Sequence, residues 1–491
     1  MEVIINSLFS VFDPVNILFI IIGVSAGIIL GALPGIAAVV GVALMLPLTY
    51  GLEPETGLLM LAGVYCGGIF GGSITAILLN TPGTPAAAAT VLDGYSLTKK
   101  GRGGEALGMA VIASTFGGVF SAFVLLFLAP QVAKLAYEFG APEFFALALF
   151  GLSMIVNISG DSLVKGFIMG LLGMLIATVG MDPVGGIPRF TFDNYNLMGG
   201  VALIPALIGL FAISEFIYRA QVAHNKESHI PKSTSTKLPF KKAFKYKKTL
   251  IKSSAIGTVV GSTPGTGTDI GAFLAYSEAR RASKNKEKFG KGSLEAVAAA
   301  ESGNNSVTGA ALIPLLTLGI PGDSVTAVML GALLMQGLAP GPQLFVDYAD
   351  VMYTLMLGFI LVNIVMFIIG SSSIRLFIKI TAVPIKVLLP ILLTLSFVGA
   401  YAVNNSVFDV RIMLLFGVIG FFLPKFGFPV VPMLLGMILG PIAERALRQS
   451  MILSDGSPMI FITNPIALLF ILLAIASLAT PIVLKNLKKK K

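Results

Sequence analysis

Cysteine and histidine are nearly absent from this sequence. Among 491 residues there is one cysteine, Cys66, and the two histidines, His224 and His229, lie in a polar stretch. A single cysteine excludes an intrachain disulfide and a metal site built from thiolates. Because the apolar runs hold no histidine, a membrane-embedded zinc site or catalytic triad has no imidazole to use. The residue inventory therefore gives little support to an enzyme.

Charged residues are also scarce, and tryptophan is missing. Charged residues make up 12% of the chain, against about 25% in an ordinary globular protein. Apolar residues make up 55%, and the mean hydropathy is +0.91. This composition excludes secreted, disordered, collagenous and coiled-coil proteins and predicts an all-α polytopic membrane protein. Since a span needs about 20 apolar residues, roughly a dozen spans is the upper bound.

The chain begins without the features of a cleaved signal peptide. The N-terminal segment carries the acidic residue Glu2, and no basic residue precedes the first apolar run. A signal peptide needs a positively charged segment at that place. We therefore interpret residues 15–32 as a retained membrane helix. Any aromatic belt at the membrane surface must consist of tyrosine and phenylalanine.

The net charge of +10 is distributed among short loops, so nucleic-acid binding is not indicated. Basic residues concentrate in segments 94–104, 219–252 and 278–292 and in the C-terminal tail. The positive-inside rule predicts that all four are cytoplasmic. Loops 49–57 and 337–350 hold acidic residues but no Lys or Arg, and they are predicted to lie outside.

The polar segment 219–252 divides the chain near its middle. It is rich in Lys, Ser and Thr and shows no apolar periodicity. We predict an N-terminal membrane half at 1–218, a basic cytoplasmic linker at 219–252 and a C-terminal membrane half at 253–491. A contact of the linker with anionic lipids is compatible with this organisation.

The two halves share a signature of two Pro-Gly pairs inside apolar sequence. Gly27-Ile-Ile-Leu-Gly31-Ala-Leu-Pro34-Gly35 recurs as Gly257-Thr-Val-Val-Gly261-Ser-Thr-Pro264-Gly265, and Asn80-Thr81-Pro82-Gly83-Thr84 recurs as Gly319-Ile320-Pro321-Gly322-Asp323. The offsets are 230 and 239 residues. Loop charges have the opposite order in the two halves, which places equivalent loops on opposite sides of the membrane. This pattern predicts two inverted-topology repeats.

Proline and glycine interrupt a helix, because proline lacks a backbone donor and glycine permits positive φ. Unpaired backbone groups are tolerated at membrane depth only where they are buried in protein or line a wet cavity. Paired breaks in corresponding positions of two repeats therefore indicate re-entrant segments and a transporter binding site. Ordinary proline kinks, with glycines for helix packing, are the alternative reading of any one of these pairs.

Polar residues at the breaks are the candidate ligands of an anionic substrate. Thr84, followed by Pro85, and Asp323 are suited to the N-caps of two helices. Two such helix N-termini facing a cavity would attract an anion, and the break regions contain no Lys or Arg. Interhelical hydrogen bonding is the alternative role of the adjacent residues Asn304 and Asn305. The candidate substrate-binding residues are Asn80, Thr81, Gly83, Thr84, Thr266, Gly267, Asn304, Asn305, Gly322, Asp323 and Ser324.

Acidic residues near the breaks point to a coupling cation, because acids inside a membrane are costly and usually functional. They are Asp269, Glu301 and Asp323. Oxygen-rich surroundings suit Na⁺, whereas a protonatable acid suits H⁺; no covalent cofactor is expected. Simple N-capping is the alternative for Asp323, and a cytoplasmic helix end is the alternative for Glu301. The candidate Na⁺ ligands are Gly35, Ser73, Gly265, Asp269 and Asn304.

Nearly the whole chain resembles the large membrane subunit of the bacterial tripartite tricarboxylate transporters. The matching segments are Gly31-Ala-Leu-Pro34-Gly35, Leu46-Pro47-Leu-Thr49-Tyr50, residues 65–85, Asp93-Gly94-Tyr95, Arg189-Phe-Thr-Phe192, residues 209–215, Pro264-Gly-Thr-Gly267, Glu301-Ser302, Asn304-Asn305, residues 318–322 and Pro340-Gly-Pro342. The chain departs from the pattern at Gly303, Ser306 and Asp323. The extra acid at Asp323 either changes the charge of the substrate or adds a cation site.

The resemblance implies a cation-coupled importer of a small organic di- or tricarboxylate such as citrate. It implies a multi-pass protein of the bacterial inner membrane with a cytoplasmic C-terminus. Its partners would be a small four-helix membrane subunit and a periplasmic solute-binding protein. An elevator-like displacement of the repeat core against scaffold helices is expected by analogy. Residues 351–484 would supply the scaffold and the contacts of a homo-oligomer. A passive channel or a scaffold subunit is the alternative function.

Overall fold

The computed structural model describes residues 2–33, 37–153, 162–182, 185–222, 240–372 and 385–489. The chain divides into two compact units. Unit 1 consists of Met1–Ala133 and Glu215–Val403, and unit 2 consists of Lys134–Ser214 and Asn404–Lys491. Each unit combines parts of both sequence halves. The division into units therefore does not test the predicted membrane halves at 1–218 and 253–491, and these halves stay a prediction.

Helices account for almost all regular structure in the described residues. The first ten are α1 (Glu2–Val11), α2 (Pro14–Gly31), α3 (Ala38–Met45), α4 (Pro54–Leu79), α5 (Ala88–Lys99), α6 (Gly103–Ala136), α7 (Ala141–Ser153), α8 (Leu163–Ala177), α9 (Leu203–Leu207) and α10 (Ser214–Val222). A π-helix, Ile208–Ile213, joins α9 to α10. Four 3₁₀ turns occupy Leu46–Thr49, Pro85–Ala87, Tyr195–Leu197 and Lys286–Lys288.

Thirteen further helices follow in the described residues. They are α11 (Phe240–Lys245), α12 (Lys247–Gly261), α13 (Gly267–Ala282), α14 (Leu294–Ala310), α15 (Leu312–Leu318), α16 (Ser324–Met335), α17 (Leu344–Asp347), α18 (Ala349–Ser372), α19 (Ile385–Asn404), α20 (Val407–Lys425), α21 (Val431–Leu453), α22 (Ile460–Thr463) and α23 (Pro465–Lys489). Two short strands, β1 (Gly180–Met181) and β2 (Pro188–Arg189), pair antiparallel with Gly180 opposite Arg189.

Six helical stretches in the described residues are long and apolar enough to cross a membrane. They are Pro14–Gly31, Pro54–Leu79, Gly103–Ala136, Leu203–Gln221, Ala349–Ser372 and Val407–Lys425. The predicted class, an all-α polytopic membrane protein, is thereby confirmed apart from the small β hairpin. The first span, predicted at 15–32, is helix α2. It starts after Asp13, whose side chain accepts a hydrogen bond from the Val15 amide (2.8 Å), with a proline at its first position.

Helix α4 is the most interior of these spans in unit 1. In the most apolar 18-residue stretch of α4, 100% of the residues are buried, whereas 44% are buried in the corresponding stretch of α2. Helix α2 exposes large apolar side chains such as Leu18 and Ile22, as a helix facing lipid would. A helix that is apolar all round is expected to be enclosed by other helices. Polar side chains of α4 are therefore buried and can contact the neighbouring helices.

Glycines let α2 and α4 approach at backbone distance, and α12 and α14 do the same. A Cβ atom at Gly27 would lie 2.4 Å from the Val64 carbonyl oxygen, and one at Gly257 would lie 2.0 Å from the Gly303 carbonyl oxygen. These two contacts are related by the same offsets of 230 and 239 residues that relate the sequence motifs. The match supports the internal repeat. The opposite orientation of its halves stays a prediction.

The glycines of the Pro-Gly pairs make a second set of matching contacts. A Cβ atom at Gly83 would lie 2.2 Å from the Gly31 carbonyl oxygen, and one at Gly322 would lie 3.0 Å from the Gly261 carbonyl oxygen. Each break is thus pressed against the end of the first helix of its own repeat. Glycine is required there because the neighbouring atoms belong to the backbone.

We predict that Gly83→Ala destabilises the protein by about 1–3 kcal/mol, the usual cost of overpacking a dense interior. The added methyl group would collide with backbone atoms that cannot rotate away. The measurement is the apparent melting temperature of the purified protein in detergent. Gly199→Ala is the control, because a Cβ atom at Gly199 meets no other atom within 4 Å. Equal melting temperatures for both variants would contradict the contact.

Candidate functional site

Both second breaks interrupt their helices as predicted. Helix α4 ends at Leu79, and Asn80 adopts the left-handed conformation with φ 58°. Helix α15 ends at Leu318, and Gly319 adopts the same conformation with φ 71°. In both repeats a Pro-Gly pair follows, and a new helical segment starts two residues after it.

The backbone at the breaks finds partners across the fold. The Gly83 amide donates to the Gly72 carbonyl (3.1 Å), and the Gly265 amide donates to the Gly322 carbonyl (2.9 Å). The second bond joins the two breaks of the C-terminal half directly. The corresponding first break of the N-terminal half, with Gly35, lies outside the described residues.

Asp323 is the N-cap of α16. Its carboxyl accepts from the Thr326 amide (2.8 Å), and its own amide donates to the Thr326 hydroxyl (2.8 Å). This reciprocal pair satisfies two otherwise unpaired amides at the helix start. Ser324 is the first residue of the helix and is half-buried. The N-capping interpretation of Asp323 is confirmed.

Thr84 occupies the N-cap position of the other segment, but its side chain does not cap. The turn that follows is 3₁₀, so the Ala87 amide donates to the Thr84 carbonyl (3.0 Å). The prediction of a side-chain cap at Thr84 is therefore wrong. Its hydroxyl packs against Gly72 and is a buried polar group without a hydrogen-bond partner among the described residues.

Asp323 also connects the C-terminal break to α4. The Tyr65 hydroxyl donates to its second carboxyl oxygen over 2.5 Å, and both side chains are buried. Sequence reasoning missed Tyr65 as a functional residue. A tyrosine in the middle of an apolar span was the available signal, because its hydroxyl needs a partner when buried.

Glu301 lies in the middle of α14 and is fully buried. The alternative that it marks a helix end is therefore wrong. Ser73 donates to its first carboxyl oxygen (2.6 Å), and Thr90 donates to the same oxygen. Ser114 donates to the second carboxyl oxygen (2.9 Å). Helices α4, α5 and α6 thus each contribute one hydroxyl to this carboxyl.

Among the described residues, neither of these two buried acids has a cationic partner. In the described part of the chain, Glu301 and Asp323 take part in no salt bridge. Hydroxyl and amide donors alone surround them. A buried charge is costly unless it is paired, so a site of this kind favours a bound cation or a proton on the acid.

The asparagine pair follows Glu301 on the same helix, and both side chains are fully buried. The Asn305 side-chain nitrogen donates to the Glu301 backbone carbonyl (3.1 Å) and to the Asn304 side-chain oxygen (2.5 Å). The Asn304 nitrogen faces the Glu301 carboxyl without reaching hydrogen-bond geometry. The Asn305 side-chain oxygen also lacks a partner among the described residues. Buried polar groups are normally paired, so these two atoms are available to a ligand.

Other sequence candidates lie apart from this cluster. Asn80 and Thr81 are exposed, and the Thr81 hydroxyl donates to the Leu79 carbonyl (3.3 Å). Asp269 is exposed on the first turn of α13. The Thr266 hydroxyl donates to the Val260 carbonyl (2.5 Å) and so closes the end of α12. Gly267, with φ +77°, begins α13.

The candidate Na⁺ ligands are distributed in the same way. The Ser73 hydroxyl donates to the Glu301 carboxyl, and Asn304 follows Glu301 on α14. The Gly265 amide donates to the Gly322 carbonyl. No hydrogen bond of the described residues links Asp269 to them. The structure therefore groups Ser73 and Asn304 with Glu301, a residue that the sequence indicated only as a nearby acid. Whether this group binds Na⁺ stays a prediction.

Another buried carboxylate, Asp93, fastens α5 to the loop before α14. It accepts hydrogen bonds from the amides of Gly290 (2.8 Å), Gly292 (2.8 Å) and Ser293 (2.6 Å). The Tyr276 hydroxyl donates to it as well (2.9 Å). Since Thr90 lies three residues earlier on α5, this attachment also orients the hydroxyl that reaches Glu301.

These features define a polytopic membrane protein with paired helix breaks around buried polar groups, the arrangement typical of secondary transporters. The model of the Tripartite tricarboxylate transporter TctA family matches residues 17–435. The chain belongs to this family and is a component of a tripartite tricarboxylate transporter.

Two relatives come from Agrobacterium vitis. An uncharacterized 52.8 kDa protein in the TAR-I ttuC' 3' region is 37% identical over 454 residues, which cover 92% of this chain and 90% of the relative. An uncharacterized protein in the TAR-II ttuC' 3' region is 37% identical over 211 residues, covering 43% of this chain and 87% of the relative. No solved structure matches the chain significantly.

We predict that Asp93→Asn destabilises the protein. The new NH₂ group cannot accept hydrogen bonds, so it leaves buried donors unpaired at about 1–3 kcal/mol each. The apparent melting temperature in detergent is the readout. Asp347→Asn, on an exposed side chain, controls for the loss of one charge. A fall of the same size in both variants would show that the four contacts of Asp93 do not matter.

Proposed function

We propose that this protein imports a small organic di- or tricarboxylate by secondary active transport, coupled to Na⁺ or H⁺, with Na⁺ as the first candidate. It receives its substrate from a periplasmic solute-binding protein and works with a small four-helix membrane subunit in the bacterial inner membrane. Family membership supports the carboxylate and the partner subunits.

The observation that carries the coupling is Glu301. This fully buried carboxyl receives three hydroxyl donors and, among the described residues, no cationic side chain, so it is ready to take up a small cation. Binding a cation removes the cost of the buried charge. The carboxyl oxygens, the hydroxyls and the asparagine amides are all hard ligands, which suit Na⁺ or a proton better than a soft metal. We assign the coupling cation to Glu301.

The substrate carboxylate requires donors. Among the buried donors that have no hydrogen-bond partner in the described residues, the Thr84 hydroxyl and the Asn304 side-chain nitrogen are the candidates next to Ser73 and Glu301. The N-terminus of α16 is a weaker candidate than the sequence suggested, because the carboxyl of Asp323 already occupies it. Thr84 packs on Gly72, next to Ser73, and Asn304 faces Glu301. The two donors therefore adjoin the cation site, where the charge of a bound cation would favour an anion.

A passive channel or scaffold subunit is the alternative. A path without a gate would need polar groups along the length of several helices. Among the described residues of unit 1, the unpaired buried groups of Thr84, Asn304 and Asn305 instead lie on α14 and at the turn that contacts it, which favours a binding site that saturates.

The test is the thermal stability of the purified protein against a panel of carboxylates, in Na⁺ and in choline. A ligand at about 100 times its dissociation constant adds about 2.7 kcal/mol to stability. We expect one carboxylate to raise the melting temperature in Na⁺ and to have little effect in choline. A shift that ignores Na⁺ but depends on pH assigns the coupling to H⁺. Ion current without saturation, and no shift, would favour the channel.

We predict that Glu301→Gln removes the coupling. Glutamine keeps the volume and most hydrogen-bonding capacity of the side chain but cannot neutralise a cation. The variant should bind carboxylate with the same affinity in Na⁺ and in choline, and its affinity in Na⁺ should fall by at least about tenfold, or 1.4 kcal/mol. The measurement is ligand titration followed by melting temperature.

Glu295→Gln is the matched control. Glu295 lies on the first turn of the same helix and also accepts two hydroxyl donors, from Thr249 (3.0 Å) and Ser283 (2.8 Å). It lies outside the proposed site, so its variant should keep the Na⁺ dependence. If Glu301→Gln retained the full Na⁺ dependence, the assignment of the cation to Glu301 would be refuted, while carboxylate transport itself would stand.

A further inference from the structure

We propose that a lysine-rich cleft at the start of α12 binds the phosphate headgroup of an anionic phospholipid. The cleft is a cavity of about 450 Å³ between the end of α11, the start of α12 and the end of α13. Its basic residues are Lys245, Lys247, Lys248, Lys252 and Lys284. We call these residues the lysine cleft. The proposal is independent of the substrate and of the coupling cation.

The two acids of the cleft are already engaged. Glu278 is paired with Lys252 and with Arg281 (2.6 Å), and their hydrogen bonds lower the pKa of Glu278 to about 2. Glu295 accepts from the hydroxyls of Thr249 and Ser283. Neither carboxylate is therefore free to neutralise the remaining lysines.

Most lysines of the cleft have no anionic partner among the described residues. Lys245, Lys248 and Lys284 form no salt bridge in the described residues. Lys247 lies over the ring of Phe244, 4.7 Å from its centre. The start of α12 adds to the positive potential, because no side chain caps it and a helix N-terminus carries partial positive charge. The cleft thus has an uncompensated positive charge that fits a phosphate group.

The surroundings of the cleft favour a lipid over a soluble phosphate. Phe240 and Phe244 lie one turn apart on α11, and 55% and 71% of their surfaces are exposed. Ile251 and Val259 continue an exposed apolar surface along α12. Lysines between exposed aromatic residues are typical of a helix that lies in the membrane interface. A phospholipid would place its headgroup among the lysines and its acyl chains along the apolar side chains.

The positive-inside rule predicts the cytoplasmic leaflet for this cleft, because its lysines belong to the basic segments 219–252 and 278–292. Anionic lipids of that leaflet attract basic segments next to membrane helices. Helices α12, α13 and α14 pack together in unit 1, and α14 contains Glu301. A headgroup in the cleft would therefore fasten the cytoplasmic ends of α12 and α13.

The test compares the full-length protein in nanodiscs of phosphatidylcholine alone and with phosphatidylglycerol. We expect phosphatidylglycerol to raise the melting temperature of the native protein and to remain bound in native mass spectrometry. The triple variant Lys245→Gln, Lys248→Gln, Lys284→Gln should lose most of both effects. The triple variant with arginine at the same positions should keep them, which separates loss of charge from misfolding.

A matched triple variant has the same change of charge outside the cleft. It carries Lys286→Gln, Lys288→Gln and Lys291→Gln, all on exposed side chains, and it should behave as the native protein. An equal loss in both glutamine variants would reduce the effect to general surface charge and overturn the site. Stabilisation by glycerol 3-phosphate in phosphatidylcholine nanodiscs, equal to that by phosphatidylglycerol, would replace the lipid with a soluble phosphate. No effect of phosphatidylglycerol on the native protein would also overturn the proposal.

Discussion

A carboxyl group that accepts hydrogen bonds from hydroxyls of three helices organises the interior of unit 1. Glu301 on α14 is reached by Ser73, Thr90 and Ser114, each from a different helix. Hydroxyls are short-range partners, so three helices must approach α14 closely for this arrangement to form. Small residues make the approach feasible: a Cβ atom at Gly117 of α6 would lie 2.3 Å from the Ser302 carbonyl oxygen. The polar centre and the glycine packing are therefore one structural requirement.

The helix breaks at the Pro-Gly pairs could be predicted from the sequence because their cause is local. Proline and glycine act within a few residues, so the ends of α4 and α15 and the N-cap role of Asp323 follow from short motifs. Thr84 shows the limit of that reasoning: the same position in the other repeat opens a 3₁₀ turn, which uses the backbone carbonyl in place of the side chain.

The sequence indicated only part of the cluster around Glu301, because the partners of Glu301 are distant from it in the chain. Ser73 and Ser114 are 228 and 187 residues away from it in sequence. Serine and threonine in apolar helices commonly serve packing, so no pattern distinguished Thr90 and Ser114 from the others, and Ser73 was a candidate only because it precedes the break. Asp93 escaped for the same reason, since its three amide donors come from a loop about 200 residues further on. Local sequence indicates the acids, and tertiary packing selects their partners.

The contact between α2 and α4 has a mechanical consequence. Where side chains separate two helices, rotamer changes can absorb sliding of a few tenths of an ångström. Gly27 and Gly31 instead set one backbone directly against another, and Gly257 and Gly261 do the same in the second repeat. No layer of flexible side chains separates the two helices of such a pair, so they can be displaced only as one rigid body. Any bending that a conformational cycle demands must then be taken up by the connecting loops and by the interrupted segments at Asn80 and Gly319.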